Sequence, residues 1–350
     1  MKKVVLMFFS ASLLLCFSCQ NSQQQSKLLV TLPSYVPTPD GMAIDPATGD
    51  LIVACPNYSD ISQPAVLIRV NNKMEVSKWV EVPIIPETGV AAPMGIVIDD
   101  DGTIYICDNQ GWRGTKEGQN MGRIIKFKVK NNKVVDFGVI AHGMEHPNGI
   151  KIKGDYLYVT QSMLSPIKDA SGLLVSGVNR FHKNDRNLKV NNDKSDKSLL
   201  LTVVTNNKDV QYGLDGIAFD KKGDLYVGNF GDGSVLKYTF NKDLSVNDCG
   251  VWAKNSEHLA TADGINFDDK GNLWIADFSA NAVAKVTPDG IVLRVAESPD
   301  CDGSKGGLDQ PGEPILWNGK IVLSCFDAVT DAGQVNRKHD KPHTLAYVIP

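Results

Sequence analysis

The sequence predicts an all-β fold, a six-bladed β-propeller with four-stranded blades, and three observations carry that prediction. First, one phrase recurs: a polar residue, Gly, an apolar residue, then Asp, a turn with Gly, and an apolar segment. It reads Asp40-Gly-Met-Ala-Ile-Asp45 before Leu51-Ile-Val53, and Asp215-Gly-Ile-Ala-Phe-Asp220 before Leu225-Tyr-Val227. Further copies start at Met94, Asn148 and Asp263, and a degenerate sixth at Glu313. Second, these starting residues are 54, 54, 67, 48 and 50 positions apart, close to the roughly 40–50 residues of a propeller blade once loops are added. Third, apolar residues alternate, as in Ile217 and Phe219 with Tyr226 in the following segment, which is the period of strands rather than helices.

Taken in order, residues 1–18 read as an export signal. Lys2 and Lys3 precede an apolar run from Val4 to Phe17, too short to be a stable membrane span. Ser18-Cys19 then resembles a lipoprotein cleavage box, with Cys16 where Leu is usual. Cleavage there would leave a lipidated Cys19, a polar tether through residue 27 and a protein held in a bacterial cell envelope by a membrane anchor. Residues 28–350 form the propeller. The segments 99–102, 220–223 and 268–271 each open with Asp and close with Gly; Asp bonds the turn backbone and Gly takes positive φ. Each phrase is therefore a hairpin. The head, Leu28–Thr31, and the tail, His343–Ile349, are both strand-like, and their meeting in one blade would close the ring and hide its edges. The longest step contains an insertion at about 162–197, and a second polar, Gly-rich loop covers 110–120. Both follow the second strand of a hairpin, on the face that carries the first residue of each phrase, where they are surface loops or a substrate lid.

Composition narrows the function. The chain has 350 residues with 36 basic and 40 acidic side chains, a formal charge of -4, so it lacks the basic footprint of a nucleic-acid binder. Beyond Cys19 it has five cysteines, Cys55, Cys107, Cys249, Cys301 and Cys325, without zinc-binding spacing. Cys107 and Cys249 are expected to be buried thiols. Cys55 and Cys325 fall at equivalent places in the first and last repeats, so a disulfide between them is open.

The first residue of each phrase points toward the central channel of a propeller. That column reads Asp40, Met94, Asn148, Asp215, Asp263, Glu313. So many carboxylates at one mouth repel one another unless some are protonated or a cation sits among them. Oxygen donors favour calcium, then magnesium, over zinc. A second column at the ends of second strands, Asp108, Asn229 and Asp277, adds to it. The plainer reading is a wet channel with Asp and Asn capping backbone amides, and Asp45, Asp99, Asp220 and Asp268 are such turn residues.

The phrase Pro-x-Gly-Ile-x-x-Asp-x-x-Gly-x-Leu-Tyr-Val resembles the senescence marker protein, gluconolactonase and luciferin-regenerating enzyme family, which includes regucalcin; the resemblance runs from Leu28 to Pro350. It implies a metal held by Glu, Asn, Asn and Asp from the first, third, fourth and fifth blades. The matching positions here are Asp40, Asn148, Asp215 and Asp263. Asn148 and Asp263 agree with the family, whereas Asp40 replaces Glu and Asp215 replaces Asn. The resemblance further implies a divalent cofactor, most simply Ca2+ with Mg2+ or Zn2+ as alternatives, and hydrolysis of a lactone or sugar-acid ester with Asp263 as base. His146 stands two residues before Asn148, where the gluconolactonase branch has a substrate-binding arginine. With Glu313 and Asp108 it is a candidate for substrate contact; His182, His258, Trp112 and Arg113 are weaker ones. No Gly-x-Ser-x-Gly, His-Glu-x-x-His or phosphate-binding loop is present. Two readings follow: a metal-dependent hydrolase of a small, sugar-derived substrate, or a binding propeller for a glycan, peptide or partner protein.

Overall fold

Each copy of the phrase folds as a strand, a tight turn and a second strand, in a computed structural model that describes residues 23–164, 167–329 and 334–350. The export signal and Cys19 lie outside the described residues. The turns form as their residues dictate. Asp220 Oδ1 accepts from the amides of Lys222 and Asp224, and Asp268 Oδ1 from those of Lys270 and Asn272, all at 2.9 Å. Gly223 and Gly271 close the two turns at φ 86° and 83°.

Two further antiparallel strands extend each hairpin outward, which gives six sheets and no α-helix among the described residues. The innermost strands are Met42–Ile44, Pro93–Ile98, Pro147–Lys153, Leu214–Phe219, Ile265–Phe267 and Pro311–Trp317. Each lies beside the next around a common axis, and the sixth returns to the first. The core is correspondingly divided into six apolar layers, one between each pair of neighbouring blades. Ile52, Leu67, Ile96 and Ile106 fill the layer between blades one and two, and Met42, Leu51, Trp317 and Leu345 the layer between blades six and one.

The last strand, Thr344–Val348, pairs on one side with Lys320–Cys325 and on the other with the first strand, Lys27–Thr31. The chain thus closes its ring with its own two ends, as expected. The insertion differs from the expectation of a loop. Its middle, Val175–His182, is the third strand of blade three, and Leu188–Lys189 adds a parallel fifth strand to blade two. Of its described residues, Met163 lines the cavity at the mouth of the channel.

Four of the six inner strands share one irregularity. Their pairing slips between Pro93 and Ile96, Pro147 and Ile150, Leu214 and Ile217, and Pro311 and Pro314. The slip falls on the first two residues of the phrase and turns the first side chain toward the axis. The glycine that follows presses on the neighbouring blade: a Cβ at Gly216 would lie 2.5 Å from Ile265 N, and one at Gly264 2.5 Å from Gly312 O. A residue without Cβ is what lets six inner strands meet this closely.

All five described cysteines are free thiols; Cys55, Cys107 and Cys325 are buried, whereas Cys249 is exposed on an outer strand, against expectation.

Candidate functional site

The slip fixes which residues face the axis, and it corrects the sixth copy. Glu313 N donates to Ser324 Oγ at 3.0 Å, as Gly149 N donates to Thr160 Oγ1 at 2.8 Å. Glu313 therefore takes the place of the glycine, and Gly312 that of the axial residue. The axial column is Asp40, Met94, Asn148, Asp215, Asp263 and Gly312. A Cβ on Gly312 would lie 2.9 Å from Asp40 Oδ1, so the missing side chain makes room for that carboxylate. Glu313 instead enters a small space further along the channel with Gly41, Gly95 and Lys151. Its Oε1 is 3.9 Å from Lys151 Nζ, and burial, only partly offset by that lysine, raises its pKa to about 7.

Asp40, Asn148, Asp215 and Asp263 converge at one mouth of the channel. Asn148 Nδ2 donates to Asp215 Oδ2 at 2.7 Å, and lies 3.2 Å from Ser162 Oγ and 3.4 Å from the Tyr212 hydroxyl, which leaves its Oδ1 as the free acceptor. Asp215 and Asp263 meet carboxyl to carboxyl and titrate as a pair, both raised, first by burial. Asp40 is also raised well above the usual range, by burial and then by the charges of Asp215 and Glu313. Asp215 touches both Asn148 and Asp263, whereas the three carboxylates do not all come within 4.8 Å of one another, so Asp40 must draw in for the four to make one hard, anionic donor set. It fits a divalent cation of the calcium or magnesium type, which would offset the mutual repulsion.

Above this point the channel opens into a cavity of about 1400 Å³, larger than a typical small-ligand pocket of about 300–1,000 Å³. His146 lines it. Its Nδ1 is buried without a hydrogen bond, and burial lowers its pKa to about 4, so the ring is neutral at pH 7 although Glu145 Oε1 is 3.7 Å away. The 110–120 loop folds over this ring, and Gly111 allows it, since a Cβ there would meet His146 Nδ1 at 3.0 Å. Arg113 and Lys116 from the same loop are the basic residues of the lining.

An apolar wall was not anticipated from the sequence. Phe230, Phe278 and Phe326 surround the mouth, with Tyr58, Trp112 and Tyr212 packed against them. Trp112 stacks on Tyr58 at 4.3 Å and meets Phe326 edge-on at 5.2 Å. The signal was present: in blades four, five and six the residue directly after the second strand is Phe.

Asp108 is not a substrate contact. It is 0% exposed and accepts from Arg123 Nε at 2.7 Å, Gln110 Nε2 at 2.7 Å and Ala92 N at 2.8 Å. Asp277 is held in the same way by Arg294 and by the amides of Ala260 and Thr261. Asn229 accepts from Thr205 Oγ1 at 3.1 Å. The second column recurs because each residue fastens the connection that enters its own blade, not because it faces a ligand. His182 and His258 are absent from the cavity lining.

No family model and no curated protein matches the sequence. Solved structures match the fold. A luciferin-regenerating enzyme aligns with TM-score 0.61 and 12% identity over 92% of this chain and 94% of its own. A calcium-binding protein, regucalcin, from Agrobacterium tumefaciens aligns with TM-score 0.59 and 12% identity over 93% and 94%. A gluconolactonase from Xanthomonas campestris aligns with TM-score 0.54 and 14% identity over 93% and 95%. These are the proteins that the repeated phrase resembles, and at such identities the likeness establishes the six-bladed propeller and not the activity.

Proposed function

We propose that this chain hydrolyses a lactone or related sugar-acid ester, with a divalent cation held by Asp40, Asn148, Asp215 and Asp263. The observation that carries the reading is that three carboxylates and one amide line the floor of one large cavity, with Asp215 in contact with both Asn148 and Asp263. Such an ion, when bound, polarises the ester carbonyl and offsets the charge that builds on its oxygen. Asp263 takes a proton from water as the water oxygen adds to the carbonyl carbon; the ring C–O bond then breaks and its oxygen gains a proton, giving the open hydroxy acid. Arg113 and Lys116 suit an anionic or hydroxyl-rich substrate, neutral His146 offers a nitrogen to a hydroxyl, and the aromatic wall suits the face of a sugar ring. The gluconolactonase and calcium-binding regucalcin among the structures of like fold support the substrate class and the ion.

The test is turnover of a panel of sugar lactones by purified protein with calcium, with chelator, and as Asp263→Asn. Loss of turnover in both latter cases is expected, and activity that survives them would refute the reading. The width of the cavity and its aromatic wall favour a second reading, a non-catalytic binder of a glycan, peptide or partner protein. It takes over if the calcium-loaded protein turns over no lactone yet binds a glycan with an affinity that Trp112→Ala abolishes. We also propose export and lipid attachment at Cys19, supported by the basic, apolar and Ser18-Cys19 pattern of the first residues. Cys19→Ser should release the protein from membranes into the soluble envelope fraction.

A further inference from the structure

A second constellation of metal-ligating side chains lies away from the axial column, in the closing blade. Asp327 follows the strand that ends at Cys325, His343 immediately precedes the final strand, and His339 sits in the segment between them. His339 Nδ1 is 3.2 Å and His343 Nδ1 3.3 Å from one carboxylate oxygen, Asp327 Oδ2. The two rings stack with centroids 4.9 Å apart, and one ligand atom from each of the three residues falls within 4.8 Å of the others.

Three features point to a ligand rather than to a self-contained hydrogen-bonded cluster. His343 is buried, its side chain 2% exposed, with both ring nitrogens unpartnered. Asp327 is 1% exposed, and its Oδ2 has no hydrogen-bond donor. Its Oδ1 is approached by Asn336 Nδ2 and Asp340 N, both at 3.4 Å, which leaves Oδ2 turned toward the histidines. Orphaned buried polar atoms are costly unless something satisfies them. The spacing fits one kind of occupant. A tetrahedral ion with bonds of about 2.0–2.1 Å holds its ligand atoms about 3.3–3.4 Å apart, close to the two separations found. His339, 28% exposed, leaves a way in for the ion. Its Nδ1 now contacts the Asp327 carbonyl oxygen at 2.7 Å and must exchange that contact for the metal.

We propose that Asp327, His339 and His343 bind a borderline divalent transition ion, Zn2+ or Co2+, in a site separate from the axial one. Two imidazoles and one carboxylate suit such ions and not calcium, which takes oxygen donors. The ion would pin the 326–343 segment, whose Phe326, Val329 and Gln334 line the large cavity, so occupancy at the rim would set the shape of the wall.

The experiment uses the full mature chain, stripped with chelator and titrated with Zn2+ by calorimetry, and with Co2+ by visible absorption. One Zn2+ equivalent should bind, and Co2+ should show the intense bands of a tetrahedral site. His339→Ala, at a partly exposed position that does not endanger folding, should weaken Zn2+ binding by about 100-fold or more, and His343→Ala should do the same. The double variant Asp215→Asn/Asp263→Asn should bind Zn2+ as the unaltered chain does. Absence of Zn2+ binding, unchanged binding in His339→Ala, or loss in the axial double variant alone would overturn the proposal.

Discussion

Replacing Asp215 by Asn separates a cation-binding ring from a wet polar channel, because the two give opposite orders of stability. Asp215 is buried against Asp40 and Asp263, and its pKa rises from 3.8 to about 7. A group raised in the folded state stabilises below its unfolded pKa and loses that contribution as pH climbs through the folded value. In chelator the penalty on the unaltered chain is thus absent near pH 4, grows between pH 4 and 7, and is complete at pH 8. Its full size is about 4 kcal/mol. Asn is isosteric and keeps an oxygen for Asn148 Nδ2, so the variant should be more stable by about 2–4 kcal/mol at pH 8. For a chain this long that is roughly 2 °C of melting temperature per kcal/mol. Calcium at about 100 times its dissociation constant stabilises the unaltered chain by about 2.7 kcal/mol, and a variant short of one anionic ligand by less. Thermal melts of both proteins at pH 5 and pH 8, with chelator and with calcium, read the result. The variant should melt higher in chelator at pH 8, the gap should narrow at pH 5, and calcium should shrink or invert it. A variant that melts lower in chelator at pH 8, or a gap that ignores pH, would refute the reasoning.

Three further outcomes are expected. Asp108→Ala strands the Arg123 guanidinium in the interior and should cost about 3–5 kcal/mol in urea unfolding, with ligand affinity at the cavity unchanged; a selective loss of affinity would return Asp108 to the substrate contacts. Gly264→Ala drives a methyl group into the backbone at Gly312 and should cost about 1–3 kcal/mol, read by the same unfolding curves, whereas Ala at the exposed turn glycine Gly319 should move no neighbouring blade. Deleting residues 27–31 removes the strand that pairs with Thr344–Val348, and an unchanged melting temperature would show that ring closure contributes nothing.

Much of the fold was legible because each copy carries its own turn chemistry and its own alternation, and five copies carry the same glycine after the axial residue. The sixth was misread by one residue for a definite reason. In Gly312-Glu313-Pro314-Ile315 the polar residue follows the glycine instead of preceding it, and only the backbone slip between Pro311 and Pro314 reveals which one faces the axis. Asp108 and Asp277 misled in the opposite sense: a carboxylate recurring in phase looks the same in sequence whether it serves a ligand or ties down Arg123 and Arg294 from later strands of the same blade. His339 and His343 are close in the sequence, but Asp327 lies on the other side of the connection and only the closing blade brings it to them. The aromatic wall is present in the sequence as a Phe recurring directly after the second strand, but a lone Phe at a strand end reads equally well as part of the core.

The pairing of the first strand with the last has a consequence for biogenesis. Residues 27–31 leave the ribosome long before residues 344–348 and have no partner in their blade until those emerge. Every intermediate of synthesis therefore carries an open circle with two unpaired borders. A chain of this design cannot complete its sixth blade until both borders are present, so the last step of folding joins segments more than 300 residues apart.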